Sequence, residues 1–342
     1  MEIKSLTLKE LEHKLDRLKF KRFRAKQVFQ WIYEKGIFDF NLMSNISKEQ
    51  RNALSLYFKC EIPEIVSLHE SKDGTVKFAI RLKDDNIIES VIIPDESRNT
   101  LCLSTQAGCR MGCRFCFTGK TGFKRNLFVN EIIDQIILAK FIVAKERKIT
   151  NLVFMGMGEP FDNYENTVKS LDIILDKNGF NFSSRKVTVS TCGIIDKMKI
   201  FGENFNVNLA VSLHSAYNEK RTELMPVNKK YPLEKLMEAC KYYPLKNRQR
   251  ITFEYVMIKN FNDSINDAKK LVFWLGQLKS KVNLITFNSF PDSSFYPSHS
   301  ETVRKFQEYL VSRGISTTIR KSKGSDILAA CGQLAGKKKD NG

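Results

Sequence analysis

The sequence is organised around one cysteine-rich stretch, Cys109-Arg110-Met111-Gly112-Cys113-Arg114-Phe115-Cys116. Its three thiols are spaced C-x3-C-x2-C, one ligand fewer than a closed tetrahedral zinc site requires. Three soft thiolates that hold an iron–sulfur cluster would leave one iron open to a ligand from outside the protein. The aromatic Phe115 and Phe117 would help to keep water away from such a cluster. The alternative is a zinc knuckle with Cys102 as fourth ligand, although zinc knuckles usually pair two CxxC-like halves.

Length and composition predict a globular chain that works inside the cell. The 342 residues suffice for one large domain and a small one, and the hydrophobic fraction of 42% supports a real core. No apolar run reaches the roughly eighteen residues that a membrane span needs, and the first residues lack the apolar segment of a signal peptide. We therefore expect a cytoplasmic protein, in which eight cysteines indicate metal binding or catalysis and not a disulfide framework.

The net charge of +18 indicates a polyanionic partner, most simply a nucleic acid. Basic residues concentrate in the stretch Lys14–Lys26, which interleaves them with aromatic residues, and in the tail Lys337–Lys339. A solvated basic face without a ligand would give the same pattern, so both interpretations stay open.

Two small units precede the main domain. Residues 1–72 show apolar residues at helical spacing and predict a helical accessory domain that binds RNA. Residues 73–97 predict a β-hairpin extension, with strands on either side of the turn Asp84-Asp85-Asn86. Glu89 lies in the apolar second strand, where it faces either solvent or a site.

From residue 98 to residue 320, strands and helices alternate, which predicts a parallel sheet. Six units, each with polar residues after its strand, favour an α/β fold of the incomplete (β/α)6 TIM-like barrel type. A doubly wound open sheet is the structural alternative. The predicted strands are 101–104, 151–155, 186–190, 207–213, 251–257 and 282–287, and the predicted helices are 129–142, 164–175, 232–242 and 264–278.

Each predicted strand ends in residues that could bind a ligand at one edge of the barrel. The first ends in the cysteine loop, and the second in Gly158-Glu159-Pro160, where glycine allows close backbone approach and a carboxylate could accept an amino group. The others end in Ser190, in Ser212-Leu213-His214-Ser215 and in Asn288. A serine or a histidine in such a place is more often structural, and only their recurrence at the same height favours a binding site.

Residues 321–342 form a C-terminal segment that carries Cys331 between small residues, in Ala329-Ala330-Cys331-Gly332-Gln333-Leu334. A lone cysteine is usually a small buried apolar residue. We interpret Cys60, Cys192 and Cys240 in that way.

The chain closely resembles the RlmN/Cfr family of radical S-adenosylmethionine (SAM) RNA methyltransferases. The resemblance runs from Arg24 to Leu334 and so covers nearly the whole chain. Its most specific markers are Cys102, seven residues before Cys109, together with the following motifs: Gly-Met-Gly-Glu-Pro at 156–160, Ser-Leu-His at 212–214, Met-Pro-Val-Asn at 225–228 and Ala-Ala-Cys-Gly-Gln-Leu at 329–334.

The resemblance implies a radical SAM barrel, a [4Fe-4S] cluster and two SAM molecules per turnover. It implies catalytic roles for Cys331 as methyl carrier, Cys102 as its partner and Glu89 as proton acceptor. The implied partners are 23S rRNA, tRNA and an electron donor such as flavodoxin or ferredoxin, and we expect a monomer. The implied cluster ligands are Cys109, Cys113 and Cys116, and the implied SAM-binding residues are Gly158, Glu159, Ser190, Ser212, Leu213, His214 and Asn288.

The family chemistry explains why two further thiols are needed. Carbon 2 of adenine is electron-poor and cannot attack a SAM methyl group, so the methyl must arrive by a radical route. Cys331 would first take a methyl group from SAM by displacement, and the activated methyl carbon would then add to the ring. After Glu89 removes the ring proton, Cys102 would attack the Cys331 sulfur, form a disulfide and release the methylated RNA.

Two other functions stay open at the level of sequence. Cfr-type members methylate carbon 8 and confer antibiotic resistance, but they tend to carry alanine after the last cluster cysteine, where this chain has Phe117. A non-catalytic, metal-stabilised RNA-binding protein would explain the charge and one metal site, yet it leaves Cys102, Cys331 and the polar strand ends unexplained.

We predict that Cys113→Ala loses most of its iron and all SAM cleavage, because two thiols cannot hold the cluster. The measurement is visible absorption and 5′-deoxyadenosine production after anaerobic reconstitution. A colourless zinc-containing wild type, or wild-type levels of 5′-deoxyadenosine from the variant, would contradict the cluster assignment.

Overall fold

The computed structural model describes residues 1–144, 146–246 and 248–336. The basic tail Lys337–Lys339 lies outside these residues. Within the described ranges, no helix is both long and apolar enough to cross a membrane.

Three helices build the N-terminal part of the chain, and eight more accompany the strands that follow. The first of them begins at a capping box, in which Thr7 and Glu10 bond each other's backbone N–H groups. The helices are α1 (Leu8–Arg17), α2 (Phe23–Tyr33), α3 (Lys48–Tyr57), α4 (Phe117–Thr121), α5 (Val129–Leu138), α6 (Tyr164–Leu175), α7 (Ile195–Asn204), α8 (Asn218–Leu224), α9 (Leu233–Lys241), α10 (Ile265–Leu275) and α11 (Ser300–Ser312).

The described strands form one ten-stranded sheet and one small two-stranded sheet. The large sheet has the order β1-β2-β3-β4-β7-β8-β9-β10-β11-β12, and β5 pairs with β6. The strands are β1 (Ile65–Glu70), β2 (Val76–Arg81), β3 (Ile87–Asp95), β4 (Arg98–Cys102), β5 (Gln106–Gly108), β6 (Phe123–Asn126), β7 (Asn151–Phe154), β8 (Val187–Thr191), β9 (Asn208–Ser212), β10 (Ile251–Met257), β11 (Ser280–Thr286) and β12 (Thr317–Arg320).

The parallel part of the sheet confirms the predicted incomplete barrel. From β4 to β12, each strand lies parallel to the next large-sheet strand in the chain. This sequential order has no reversal point, so the doubly wound alternative is wrong. The sheet contains a seventh parallel strand, β12, which the sequence did not reveal because Thr317-Thr-Ile-Arg320 is short and mostly polar.

The antiparallel strands β1, β2 and β3 continue the barrel sheet beyond β4. The predicted hairpin is present as β2 and β3, but it belongs to the large sheet instead of standing apart. The strand Ile65–Glu70 lies within the range that we assigned to the helical domain. The domain boundaries themselves stay a prediction.

Strand alternation points one set of side chains into the barrel. On β4, Arg98, Thr100 and Cys102 share a face, and Cys102 lies opposite Val91 of β3 and Val153 of β7. Glu89 lies two residues before Val91 on β3 and therefore shares the inner face with Cys102. The other faces of these strands carry fully buried apolar side chains such as Leu101 and Leu152, which pack into the core.

A buried ion pair joins the N-terminal module to the barrel. Lys4 is fully buried, and its Nζ atom lies 2.5 Å from Asp134 of α5. The same ammonium group donates to the backbone carbonyl of Glu61. The pair therefore ties the start of the chain to the first barrel helix.

We predict that Lys4→Met destabilises the protein by about 3–5 kcal/mol, because Asp134 is then left buried without its partner. Lys4→Met combined with Asp134→Leu should recover most of this loss, since no charge remains buried. Thermal unfolding of the three proteins measures both effects. Equal stabilities of wild type and Lys4→Met would contradict the anchoring role.

Candidate active site

A cavity opens at the carboxyl ends of the barrel strands, where the sequence predicted the binding site. It contains about 960 Å³ of empty space, part of it open to solvent. Predicted site residues from six separate chain segments line it, namely Cys109, Cys113, Cys116, Gly158, Glu159, Ser190, Ser212, His214, Asn288 and Cys331. Leu213 does not line the cavity, because its side chain is fully buried in the core.

The three cysteines of the loop share this cavity but remain protonated thiols by themselves. Burial raises the pKa of Cys109 to about 12 and that of Cys113 well above its usual value, so stable thiolates there need a metal cation. Across the described residues, no three His, Cys, Asp or Glu side chains converge closely enough to hold a metal ion directly. A cluster of several irons separates its cysteine ligands more widely than a single ion does, and the donor set is suited to such a cluster.

The loop after β7 brings a carboxylate into the cavity. Glu159 is buried, and its two carboxylate oxygens accept N–H bonds from Phe161 at 3.1 Å and from Cys192 at 2.8 Å. Burial nevertheless raises its pKa. Gly158 has φ +99°, and a Cβ atom there would lie 2.5 Å from Gln106. This position therefore requires glycine, and the backbone can approach a ligand closely.

His214 presents a neutral imidazole to the cavity. Burial and the nearby Arg221 lower its pKa to about 3. Its Nδ1 atom accepts an N–H bond from Val256 at 3.0 Å, so the proton of the neutral ring lies on Nε2 and can be donated to a ligand. The ring of Phe115 packs edge-on against it, with centroids 4.4 Å apart.

A buried arginine that the sequence analysis missed supports these strand ends. Arg221 is completely buried and donates to the carbonyls of Cys192 at 2.7 Å and Ser212 at 3.1 Å. It also bonds the side chain of Asn228, at 2.8 Å, within the motif Met225-Pro-Val-Asn228. The motif at 225–228 indicated a functional segment in the sequence, but Arg221 could not be identified as the partner of Asn228 without the fold.

The segment with Cys331 is fastened to the cysteine loop and to the end of β11. The Phe117 N–H donates to the Gly332 carbonyl at 2.6 Å, and Thr118 Oγ1 donates to the Leu334 carbonyl at 2.6 Å. On the other side, the Asn288 amide donates to the Cys331 carbonyl at 3.1 Å. Cys331 is thus held at the wall of the cavity beside the three loop cysteines.

Cys102 lies close to Cys331 although 229 residues separate them in the sequence. Burial, and to a smaller extent the neighbouring Cys331, raises the pKa of Cys102 to about 12. Arg320 lies near Cys331, Glu254 and Cys102, whose negative charges raise the pKa of its guanidinium, with Cys331 the largest influence and Cys102 the smallest. Cys102 is not among the residues that line the cavity with the loop thiols, so the zinc-knuckle interpretation loses its fourth ligand. All eight cysteines are free thiols in this structure.

Glu89 points to the inside of the molecule and not to solvent. Its carboxylate forms a buried ion pair with Lys77, 3.1 Å away, and accepts N–H bonds from Ala335 at 2.7 Å and Gly336 at 3.2 Å. Lys77 also donates to the Leu328 carbonyl at 3.2 Å. Lys77 therefore connects Glu89 with the Cys331 segment. The sequence analysis did not predict this role, because a lysine within a strand usually faces solvent.

The loop between β1 and β2 holds the same segment further upstream. Ser71 Oγ donates to Asp326 at 2.6 Å, and Asp73 accepts the Gly324 N–H at 2.9 Å. The antiparallel extension therefore serves as the support on which the C-terminal cysteine segment rests.

The fold and the site together define a radical SAM enzyme. Residues 103–272 match the Radical SAM superfamily, and residues 1–60 match the Ribosomal RNA large subunit methyltransferase N-terminal domain. The fold agrees with the crystal structure of a radical SAM methyltransferase from Sphaerobacter thermophilus, with TM-score 0.93 and 39% identity, over 98% of this chain and all of that one.

Two curated relatives identify the family. The Dual-specificity RNA methyltransferase RlmN of Geotalea uraniireducens is 45% identical over 337 residues, 98% of this chain and 97% of the relative. The protein of the same name from Syntrophus aciditrophicus is 44% identical over 98% of this chain and 96% of its own length. The chain therefore belongs to the RlmN family of radical SAM RNA methyltransferases, as the sequence motifs predicted.

We predict that Gly158→Ala weakens SAM binding at least tenfold, because the new Cβ atom collides with Gln106 and displaces the loop. Gly314→Ala is the matched control, since Gly314 also has positive φ, +78°, but open space around it. That control should lose only roughly 1–3 kcal/mol of stability from backbone strain. Equilibrium binding of SAM to both reconstituted variants is the measurement, and equal affinities would contradict the close approach of the Gly158 backbone.

Proposed function

We propose that the protein methylates carbon 2 of an adenosine in 23S rRNA and of an adenosine next to the tRNA anticodon, with Cys331 as the methyl carrier. The observation that carries the proposal is the placement of Cys331 on the wall of the cavity that the three loop thiols line, with the free Cys102 near Cys331. The dual-specificity name of the relatives supports the two RNA substrates.

The cavity residues divide into a cluster-holding set and a SAM-holding set. Cys109, Cys113 and Cys116 would hold the [4Fe-4S] cluster. When bound, the cluster and SAM supply the methyl group and its one-electron activation. The donors and acceptors for SAM would be the backbone at Gly158, the carboxylate of Glu159, the hydroxyls of Ser190 and Ser212, the Nε2–H of His214 and the amide of Asn288.

Cys331 would act as nucleophile toward the methyl group and then hold it next to the RNA base. The nearby guanidinium of Arg320 is suited to stabilise the thiolate that this displacement needs. The hydrogen bond from the Asn288 amide to the Cys331 carbonyl fixes the backbone of Cys331 at the cavity wall.

Glu89 would accept the ring proton, and Cys102 would complete turnover. Lys77 neutralises the buried carboxylate of Glu89 and keeps it in place through the ion pair. After the adduct has lost the ring proton and one electron to the cofactor site, the Cys102 sulfur would attack the Cys331 sulfur and form a disulfide. The electron pair of the bond between Cys331 and the methylene carbon would pass to that carbon, which would take up a proton and become the methyl group. A reductant must then reopen that disulfide before the next turnover.

Three further parts of the proposal follow from the family chemistry. Each turnover would consume two SAM molecules, one for the methyl group and one for its activation. The electrons would come from a donor such as flavodoxin or ferredoxin, and the enzyme would act as a monomer. Nucleoside analysis of reacted rRNA and tRNA tests the proposal, because 2-methyladenosine supports it and 8-methyladenosine would favour the Cfr-type activity.

We predict that Cys102→Ala accumulates a covalent protein–RNA complex, because Cys331 can still be methylated and joined to the ring but cannot be released. The complex should appear as a nuclease-sensitive band of raised mass on a denaturing gel. Cys331→Ala should give neither methylated RNA nor this band, and the double variant should behave like Cys331→Ala. If neither single variant forms the complex, the separate roles of the two cysteines are wrong.

We predict that Lys77→Met slows removal of the ring proton, because Glu89 loses the partner that holds it. The covalent complex should therefore persist in this variant, and deuterium at carbon 2 of the target adenosine should slow product formation more than in the wild type. Lys77→Arg should restore most of the rate. Lys83→Met, which removes an exposed lysine paired with Glu61, is the control and should match the wild type.

An unchanged isotope effect in Lys77→Met, with all steps slowed equally, would show that Lys77 is only structural.

A further inference from the structure

A second cavity extends through the barrel interior and meets the first one at Cys331. It contains about 1840 Å³ of empty space, including open solvent. Its wall begins at residues such as Arg98 and Asn151, which are the first residues of β4 and β7, and ends at Asn288 and Cys331. Four residues of β-strand span about 13 Å, so this interior passage leads from the amino ends of the strands to the methyl carrier.

Cys331 contributes to the walls of both cavities, as do Met155, Glu254, Ile285, Asn288 and Arg320. The loop cysteines and the candidate SAM-binding residues other than Asn288 and Leu213 line only the first cavity, while Leu213 lines neither. The carrier cysteine therefore stands at a boundary, with the cofactor side on one face and the polar passage on the other.

The passage has the charge expected of a nucleic-acid path. Its wall carries five cationic side chains and only two carboxylates, those of Asp95 and Glu254. Arg98 is paired with Asp95 at 2.6 Å. Lys281 and Lys321 are exposed at the wall, and neither forms an ion pair with another described residue.

The passage also contains an unused hydrogen-bond acceptor. Glu254 on β10 is buried, and its Oε1 atom accepts from the amide of Asn283 at 2.9 Å. Its Oε2 atom has no hydrogen-bond partner among the described residues. A buried acceptor without a partner is costly, and the exocyclic amino group of adenine is a donor that could satisfy it.

We infer that the target nucleotide of the RNA enters through this interior passage and reaches Cys331 from the side opposite the cofactors. The inference rests on the proposed function and adds the route and its wall residues. Enzymes that react at a base must take it out of the stack, and single-stranded loops of RNA allow this most readily. The base lies in the passage near Glu254, while the exposed Lys281 and Lys321 on the passage wall contact phosphates.

A narrower passage should block RNA methylation without affecting the methylation of Cys331 by SAM. Thr188 of β8 lies on its wall and does not line the cofactor cavity. In Thr188→Phe we expect RNA methylation to fall at least tenfold, while methylation of Cys331 by SAM, measured as the mass of the Cys331 peptide, stays at the wild-type level. Thr188→Val keeps the original size and should methylate RNA within twofold of the wild type.

Charge reversal tests the positive charge of the passage wall without changing the width of the passage. Lys281→Glu combined with Lys321→Glu should raise the KM for a tRNA anticodon stem-loop at least tenfold at low salt and leave Cys331 methylation unchanged. The control is Lys199→Glu combined with Lys241→Glu, which places the same charges on the outer helices α7 and α9. The control should change the KM by no more than about threefold.

The outcomes distinguish a failure of the proposed entry route from a failure of the proposed methylation reaction. Wild-type RNA methylation by Thr188→Phe would overturn the route alone. If Thr188→Phe also loses Cys331 methylation, the charge variants decide: equal KM values for the passage and control pairs overturn the route, and a selective rise supports it. A wild type that methylates Cys331 but no RNA would overturn the proposed function and the route with it.

Discussion

The hydrogen bond from the Phe117 N–H to the Gly332 carbonyl, 2.6 Å long, is the contact on which the site depends. It joins the loop of the three cysteines to a segment more than two hundred residues later. Gly332 has φ +84°, and a Cβ atom there would lie 3.1 Å from the Phe115 carbonyl. The two backbones can therefore approach only because this residue is glycine. Without that approach, Cys331 would not border the cavity that the loop cysteines line.

The remaining architecture can be understood as support for this junction. The barrel strands bring five of the predicted polar strand ends to one edge, because parallel strands in sequential order place their carboxyl ends together. The antiparallel extension would be unnecessary for a barrel alone. It contributes Glu89 and Lys77 on the inner face and binds the Cys331 segment through Ser71 and Asp73.

Much of this was predictable, because the signals were local. The helix Tyr164–Leu175 and the strand Ile251–Met257 were predicted at their observed bounds, since apolar periodicity reports which face is buried. Ten of the residues that line the cavity were predicted, nine from motifs at strand ends and Cys331 from the family resemblance. Three features of the structure could not be predicted from the sequence. Strand β12 lacks an apolar pattern, and the roles of Lys77 and Arg221 depend on partners from distant segments, which no local pattern records.

The contacts of the Cys331 segment also determine when the enzyme can become active during its synthesis. Asp326 bonds a residue that precedes it by 255 positions, and Gly324 bonds one that precedes it by 251. Domains generally fold from the N-terminus as the chain emerges, and long-range contacts form late. The loop cysteines and most of the barrel are made well before residues 324–336. A nascent chain could therefore assemble its metal centre while it still lacks Cys331, the proposed methyl carrier, which would separate maturation of the cofactor from the start of RNA modification.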